Sequence, residues 1–316
     1  MLLLVLFASN HWETIQSMVT NQPEYQFAAC LAIVVAFSAI GITNQLMLGS
    51  LGFSVPVSVC FSLATMTNFA NQFIPFHGGT GLRAQYLKKL FAVDYTAVAS
   101  SFISFQLTQI QTTSVIACSL CLLLHQEKPW FLAVFMLNIG MFLAASLAPK
   151  LANWKGVPPI GLVKRLSQSV SKIHEDRGRQ ALNVVMQSAL RLLDGLIFFL
   201  VALGLGLSPT YFDCLLITCI TSYVAIVRLT PNNIGIQEGF SGAISGIASL
   251  SPVQGVVIVA TARILTVTIA GLFSLIAVTT SSRLILTPQG KPAGDCEQAS
   301  KHTNKKSVTG DEATDS

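Results

Sequence analysis

The stretch FIPFHGGTGLRAQYLKK, residues 73–89, ends a run without charged residues that extends from residue 25 to residue 82. Pro75 lacks the backbone N–H that a helix interior requires, and Gly78 and Gly79 allow backbone angles that other residues avoid. A helix that reaches this stretch is therefore predicted to break. Broken backbone inside a bilayer is stable only where protein or a water-filled cavity surrounds it, so the stretch predicts an internal cavity.

The composition indicates a membrane protein. Of the 316 residues, 52% are hydrophobic and 10% are charged, whereas a soluble domain carries about 25% charged residues. The net charge of +5 comes from Lys and Arg concentrated at 83–89, 150–179 and 283–306, a distribution typical of cytoplasmic loops. The sequence has no basic stripe with interleaved aromatic residues, which argues against nucleic-acid binding.

Seven apolar segments are candidates for crossing a bilayer. They lie at 27–47, 54–74, 95–124, 130–149, 181–205, 211–229 and 253–281. The apolar segment 239–250 is too short for a crossing and suits a half-helix or re-entrant piece. The pattern predicts an all-α integral membrane protein, a polytopic helical bundle of about 7–8 transmembrane helices in two related halves with segments broken by Pro and Gly.

This bundle is predicted to be one of three parts of the chain. Residues 1–26 form an N-terminal segment, interpreted as a short interfacial stretch or as the remainder of a truncated first helix. Residues 27–282 form the polytopic transmembrane domain. Within it, 160–179 is predicted to be either an amphipathic helix on the anionic cytoplasmic leaflet or a solvated charged linker. Residues 283–316 are predicted to be a disordered polar tail.

The first break, which follows the apolar segment 54–74, recurs about half a chain later. Pro75 and Gly79 have the same spacing as Pro231 and Gly235 in the stretch VRLTPNNIGIQE, residues 227–238. Broken segments at corresponding places in two halves indicate the binding site of a transporter. The alternative is that two ordinary loops share a short pattern by chance.

Charged residues follow both breaks and also lie inside apolar segments. Arg83 follows the first break and Glu238 the second, while Arg263 lies within the last span and needs a partner, for which Glu238, Asp194 or a lipid phosphate are candidates. Arg191 and Asp194 lie on one helical face and can pair. That pair is interpreted either as part of a polar cavity or as a structural ion pair.

Two groups of polar side chains in the first half are interpreted either as part of a polar cavity or, as the sequence favours, as hydrogen bonds between helices. They are Asn68, Asn71 and Gln72, and Gln106, Gln109 and Thr113. Cys118 and Cys121 form a CxxC, but no second Cys or His cluster supplies the remaining ligands. Neither a metal nor a cofactor is therefore expected.

Three motifs resemble the lysylphosphatidylglycerol synthase transmembrane-domain family, whose standalone members are often called flippase-like proteins. The motifs are GGTGLRAQYLKKLF (78–91), TPNNIGIQEG (230–239) and ATARIL (260–265), within a resemblance that runs from Trp12 to Arg283. It implies a multi-pass protein of the bacterial inner membrane that handles lipids or lipid-linked envelope precursors. The site residues it implies are Pro75, Gly79, Arg83, Pro231, Gly235, Glu238 and Arg263.

The sequence departs from the family pattern in two places. Thr80 stands where many relatives carry an acidic residue, so a role for that acid is not expected here. Relatives also begin with a complete helix ahead of the tryptophan, which suggests a late start for this sequence. A fused soluble aminoacyl-transferring domain is not expected.

The expected function is translocation, or binding for translocation, of an anionic lipid or a polyprenyl-linked precursor. In this hypothesis Arg83 and the backbone N–H groups after Gly78 and Gly79 hold a phosphate. Arg263 is a second anion contact, Glu238 is a gating or proton-coupling partner, and the 160–179 helix senses headgroups. The alternative is a non-transporting scaffold or accessory subunit for an envelope-biogenesis enzyme. Enzymatic activity is not expected, because the sequence shows no nucleophile or metal constellation.

Overall fold

The structure is a computed structural model that describes residues 22–74, 78–124, 127, 130–152, 161–226 and 233–285. All regular secondary structure in these residues is helical, as predicted. The α-helices are α1 (Pro23–Ser50), α2 (Val57–Asn71), α3 (Gly78–Phe91), α4 (Tyr95–Leu124), α5 (Phe131–Ala152), α6 (Gly161–Glu175), α7 (Arg177–Gly204), α8 (Tyr211–Ile226), α9 (Ile236–Ile244) and α10 (Pro252–Ile285). A short 3-10 helix, Ser245–Ala248, follows α9.

The chain divides into two compact units, Met1–Leu275 and Ile276–Ser316. The first contains α1 to α9 and most of α10, and the second contains the last turns of α10. The predictions for an N-terminal segment and a disordered tail concern residues that lie almost entirely outside the described ranges.

Within the described residues, four helices are long and apolar enough to cross a membrane, namely α1, α4, α7 and the Pro252–Thr279 part of α10. Shorter apolar helical stretches occupy Phe131–Leu147 and Tyr211–Ala225. The segment expected to span at 54–74 forms α2, whose 15 residues extend about 22 Å, less than the roughly 30 Å of hydrocarbon in a bilayer. The predicted all-α membrane bundle is confirmed, with these four helices as its long elements.

Apolar side chains cover the outward faces of the long helices. Phe27, Leu31 and Val35 recur at helical spacing on α1, and each is more than half exposed. Leu272 and Leu275 on α10 are equally exposed. Such stripes are unfavourable in water but suit contact with lipid tails.

The central helix pair is α1 and α7, which pack antiparallel. Gly49 at the end of α1 lies beside Arg179 in the first turn of α7, and Gly204 at the end of α7 lies beside Gln26 in the first turn of α1. We call these two ends of the bundle the Ser50 end and the Pro23 end. Small buried residues of α1 such as Ala29 belong to this core, because small side chains allow helices to approach closely.

Helices α2 and α3 form a helical hairpin. Cys60 and Leu63 of α2 share a buried cluster with Leu87 of α3, and Gly79 at the start of α3 lies against the carbonyl of Thr67 near the end of α2. Helix α3 therefore runs back beside α2. Because α2 starts just after α1 ends, this hairpin opens toward the Ser50 end.

Helices α8 and α9 form a second hairpin. The Asn233 side chain between them donates a hydrogen bond to the carbonyl of Val224 at 2.9 Å, and Phe240 of α9 packs against the cluster that contains Leu216 of α8. The short segment predicted at 239–250 corresponds to most of α9 and the 3-10 helix that follows it. Because α8 starts just after α7 ends, this hairpin opens toward the Pro23 end.

The two hairpins thus open toward opposite ends of the bundle. Each consists of a helix, a connection whose sequence contains the Pro-x-x-x-Gly spacing, and a shorter helix that returns beside the first. Opposed hairpins of this kind are typical of inverted-topology repeats in transporters. The arrangement fits the predicted bundle in two related halves.

The sequence allowed two interpretations of residues 160–179, a membrane-surface helix or a solvated linker. In the structure, helix α6 lies in this connection. Its apolar residues Val170 and Ile173 are buried, and α6 packs against α4 and α5. Arg165 and Lys172 remain exposed. The helix is therefore present, but its apolar face contacts the protein, which leaves its basic face as the part able to meet a headgroup.

Candidate functional site

A polar cavity of about 160 Å³ lies where the first hairpin meets α1 and α4. Its polar lining residues are Asn44 on α1, Thr67, Asn68 and Asn71 on α2, Thr80 and Arg83 on α3, and Gln106 and Gln109 on α4. Apolar side chains, among them Phe37 and Phe102, line the rest, and Ala225 of α8 also contacts the cavity. Convergent polar groups within an otherwise apolar pocket are typical of a ligand site.

Arg83 is the single charged side chain among the described residues that line this cavity. It is only 8% exposed, and its Nη2 has no hydrogen-bond partner. No ion pair joins Arg83 to any residue within the described ranges. A buried charge without a partner is unfavourable by several kcal/mol, so this position favours an anion supplied from outside the chain.

The sequence around the cavity contains no carboxylate that could neutralise Arg83. Asp and Glu are absent between Glu24 and Asp94, and again between Asp94 and Glu127. Helices α2, α3 and α4, and all of α1 after its first turn, are therefore free of acidic residues. The positive charge of the cavity is a property of the sequence as well as of the structure.

Gly79 brings the two arms of the first hairpin together. A Cβ at this position would lie 2.4 Å from the carbonyl oxygen of Thr67, so only glycine fits here without a shift. The Gly79 N–H donates to Oδ1 of Asn71 at 2.9 Å. The hypothesis that this N–H holds a phosphate therefore needs correction, because the N–H is already satisfied within the hairpin. Gly78 lies beside Ile74 in the same break.

For four amides of the first half, the sequence favoured contacts between helices over a cavity. The structure places all four in the lining of the cavity with Arg83: Asn68, Asn71, Gln106 and Gln109. Asn44 was missed entirely, although an Asn within the apolar segment 27–47 was a usable signal. Spacing along one helix shows that amides share a face, but not that faces of three helices converge.

An ion pair joins α9, which follows the second break, to α10. Glu238 forms a salt bridge with Arg263, and Arg263 Nη2 donates to Oε1 of Gln237 at 2.9 Å. Glu238 Oε2 also accepts from the N–H of Gly235 at 2.8 Å, where the backbone has φ +88°, an angle that favours glycine. Of the partners considered for Arg263, the structure places Glu238 beside it.

The other predicted site residues lie apart from the cavity. Arg191 and Asp194 form a salt bridge of 2.7 Å on α7, and neither they nor Gly235, Glu238 and Arg263 are among the described lining residues. Gln187, one turn before Arg191, is fully buried and its side-chain amide has no partner in the described part of the chain. Pro75 and Pro231 lie outside the described residues.

Arg83 and Arg263 therefore differ in how their positive charge is compensated. Arg263 is neutralised by Glu238 within the chain, whereas Arg83 faces a cavity lined by neutral amides. An arginine that is already paired has little charge left for a ligand. This difference identifies the first hairpin as the better candidate for anion binding, and it weakens the expectation that Arg263 is a second anion contact.

The fold and the site define an integral membrane protein with two oppositely directed helical hairpins and a buried arginine, Arg83, in a polar cavity. The chain belongs to the family described as the lysylphosphatidylglycerol synthase TM region, whose model matches residues 1–274. No curated protein matches the chain. The family agrees with the resemblance seen in the motifs and makes this a membrane protein related to lipid handling.

Proposed function

We propose that this protein binds an anionic lipid or a lipid-linked envelope precursor by its phosphate at Arg83 and moves the headgroup across the bacterial inner membrane. The observation that carries the proposal is the buried Arg83 guanidinium, which has no partner among the described residues and lines a polar cavity. An arginine in this state gains most from a phosphate, to which it donates charge-assisted hydrogen bonds.

The opposed hairpins support movement as well as binding. In transporters with inverted repeats, a fixed site becomes accessible from alternate sides when one repeat rocks against the other. The Arg83 cavity contacts both the first hairpin and α8, the first arm of the second hairpin, through Ala225. Rocking of one hairpin against the other would open this cavity. The proposed function includes no covalent step, and its proposed partners are membrane phospholipids or lipid-linked precursors.

The first test is native mass spectrometry of the purified protein and of Arg83→Gln, each after exchange into the same mixture of neutral and anionic lipids. A charge-assisted hydrogen bond is worth about 1.5–3 kcal/mol, so Arg83→Gln should lose about 10- to 150-fold in affinity for the anionic lipid. Arg179→Gln is the matched control, because Arg179 is exposed and pairs with Asp176 at the start of α7.

Equal retention of anionic lipid by the wild type and Arg83→Gln would contradict the proposal. A scaffold that recruits an envelope-biogenesis enzyme would then be the better explanation. A loss in both arginine variants would show that binding depends on surface charge rather than on the cavity. Transport itself is measured separately, by the rate at which a fluorescent anionic lipid changes leaflet in proteoliposomes.

A further inference from the structure

We infer that the headgroup held at Arg83 is a phosphodiester that carries a neutral polyol and no cationic amine. The inference rests on the proposed function and narrows its ligand class. Two properties of the cavity carry it: the charge balance around Arg83 and the state of the amides.

The charge balance argues against an amine in the ligand. An ammonium group needs a carboxylate or a comparable negative group when it leaves water. The described lining residues contain no acid. Beside Arg83 an amine would meet a like charge in surroundings of low dielectric constant, where repulsion is strong. The cavity therefore compensates one negative charge and disfavours a positive one.

The amides are available to a ligand rather than used up in the fold. No hydrogen bond joins the side chains of Asn44, Gln106 and Gln109 to another residue in the described ranges, although all three line the cavity. Each amide offers both donors and an acceptor. A hydroxyl group also donates and accepts, so several amides around one cation are complementary to a phosphate with neighbouring hydroxyls.

The test compares binding of four probes by native mass spectrometry in one detergent. The probes are dioleoyl phosphatidylglycerol, dioleoyl phosphatidylethanolamine, lysyl-phosphatidylglycerol and water-soluble glycerol 3-phosphate. The variants are the wild type, Arg83→Gln, Gln106→Glu and the control Arg179→Gln. We expect the wild type to prefer phosphatidylglycerol over both amine-bearing lipids by about tenfold or more, and Arg83→Gln to lose that binding.

Gln106→Glu provides the sharper test, because it places a carboxylate in the cavity with almost no change in shape. It should weaken binding of phosphatidylglycerol and strengthen binding of lysyl-phosphatidylglycerol, so that the preference shifts toward the amine-bearing lipid. Gln109→Glu is the second variant if the first does not fold, as judged by its thermal unfolding.

The outcomes separate the inference from the proposed function. If the wild type binds lysyl-phosphatidylglycerol as tightly as phosphatidylglycerol and Arg83→Gln loses both, the polyol inference is wrong and the proposed function stands. If Arg83→Gln binds every probe like the wild type, the proposed function is wrong. If glycerol 3-phosphate binds through Arg83 while no lipid does, the ligand is a water-soluble polyol phosphate and lipid handling at this site is overturned.

Discussion

Arg83 and Arg263 differ in the presence of a carboxylate. The Arg263 side chain is 14% exposed and pairs with Glu238, whose side chain is 5% exposed, whereas Arg83 is 8% exposed and faces neutral amides. Removing one member of a buried pair leaves the other charge uncompensated, while removing an unpaired charge relieves the fold. The same chemical change should therefore have opposite effects at the two positions.

We predict that Arg263→Gln destabilises the protein by about 3–5 kcal/mol, because it leaves Glu238 buried without its partner. The double variant Arg263→Gln with Glu238→Gln should recover most of this loss, and Arg83→Gln should not lower stability at all. The measurement is the thermal unfolding temperature of each variant in one detergent. A double variant as unstable as Arg263→Gln would show that the pair is not what stabilises this break.

For single residues, the sequence predicted which charged side chains are important better than it predicted what each of them contacts. Arg83, Glu238 and Arg263 stand out because charges within apolar segments are rare. Which of them pair could not be derived, because pairing depends on how α9 packs against α10 across the second break. Asn44 gave almost no signal, since a single amide in a long apolar helix more often bonds a neighbouring helix than a ligand.

The first hairpin depends on the close contact between its two arms. We predict that Gly79→Ala destabilises the protein by about 1–3 kcal/mol through overpacking, because its Cβ would lie 2.4 Å from the Thr67 carbonyl oxygen and 2.7 Å from Asn71 Oδ1. Gly81→Ala is the matched control on the same helix. A Cβ at Gly81 meets nothing within 4 Å, so this change should be neutral or stabilise α3 by up to about 1 kcal/mol.

Thermal unfolding of these two glycine variants checks the hairpin, and their retention of anionic lipid checks the cavity beside it. If Gly79→Ala unfolds at the same temperature as Gly81→Ala, α2 and α3 do not make the close contact described at Gly79. If Gly79→Ala is less stable but still retains lipid like the wild type, the contact supports the fold without shaping the site.

At the level of elements the sequence predicted the breaks but not the direction of the chain after them. Proline and glycine at 75–79 and 231–235 indicate that the helical ladder stops. They do not say that α3 returns beside α2, because that depends on contacts such as Gly79 with Thr67. The docking of α6 was missed for a similar reason: an apolar stripe shows that a helix has a face to bury, not whether protein or lipid covers it.

The arrangement of the whole bundle follows from the direction of its helices. Basic residues Lys88, Lys89, Arg177 and Arg179 all lie at the Ser50 end, at the end of α3 and the start of α7. Positive charges favour the cytoplasmic side of a bacterial membrane. The Ser50 end, with the opening of the first hairpin, is therefore expected to face the cytoplasm, and the opening of the second hairpin is expected to face away from it.

This topology predicts the labelling of single introduced cysteines by a membrane-impermeant maleimide. Lys89→Cys and Gly178→Cys, at exposed positions of the Ser50 end, should react only in inverted membrane vesicles, whereas Ser208→Cys and Ser249→Cys, exposed at the Pro23 end, should react only in intact spheroplasts. The wild type is the control for its native cysteines, of which those described are buried or half-buried. Labelling of Lys89→Cys and Ser249→Cys from the same side would contradict opposed hairpins and remove the structural argument for movement across the membrane. If each of the four cysteines is labelled from the side opposite to its prediction, only the predicted orientation of the protein in the membrane is reversed, since the hairpins would still open in opposite directions.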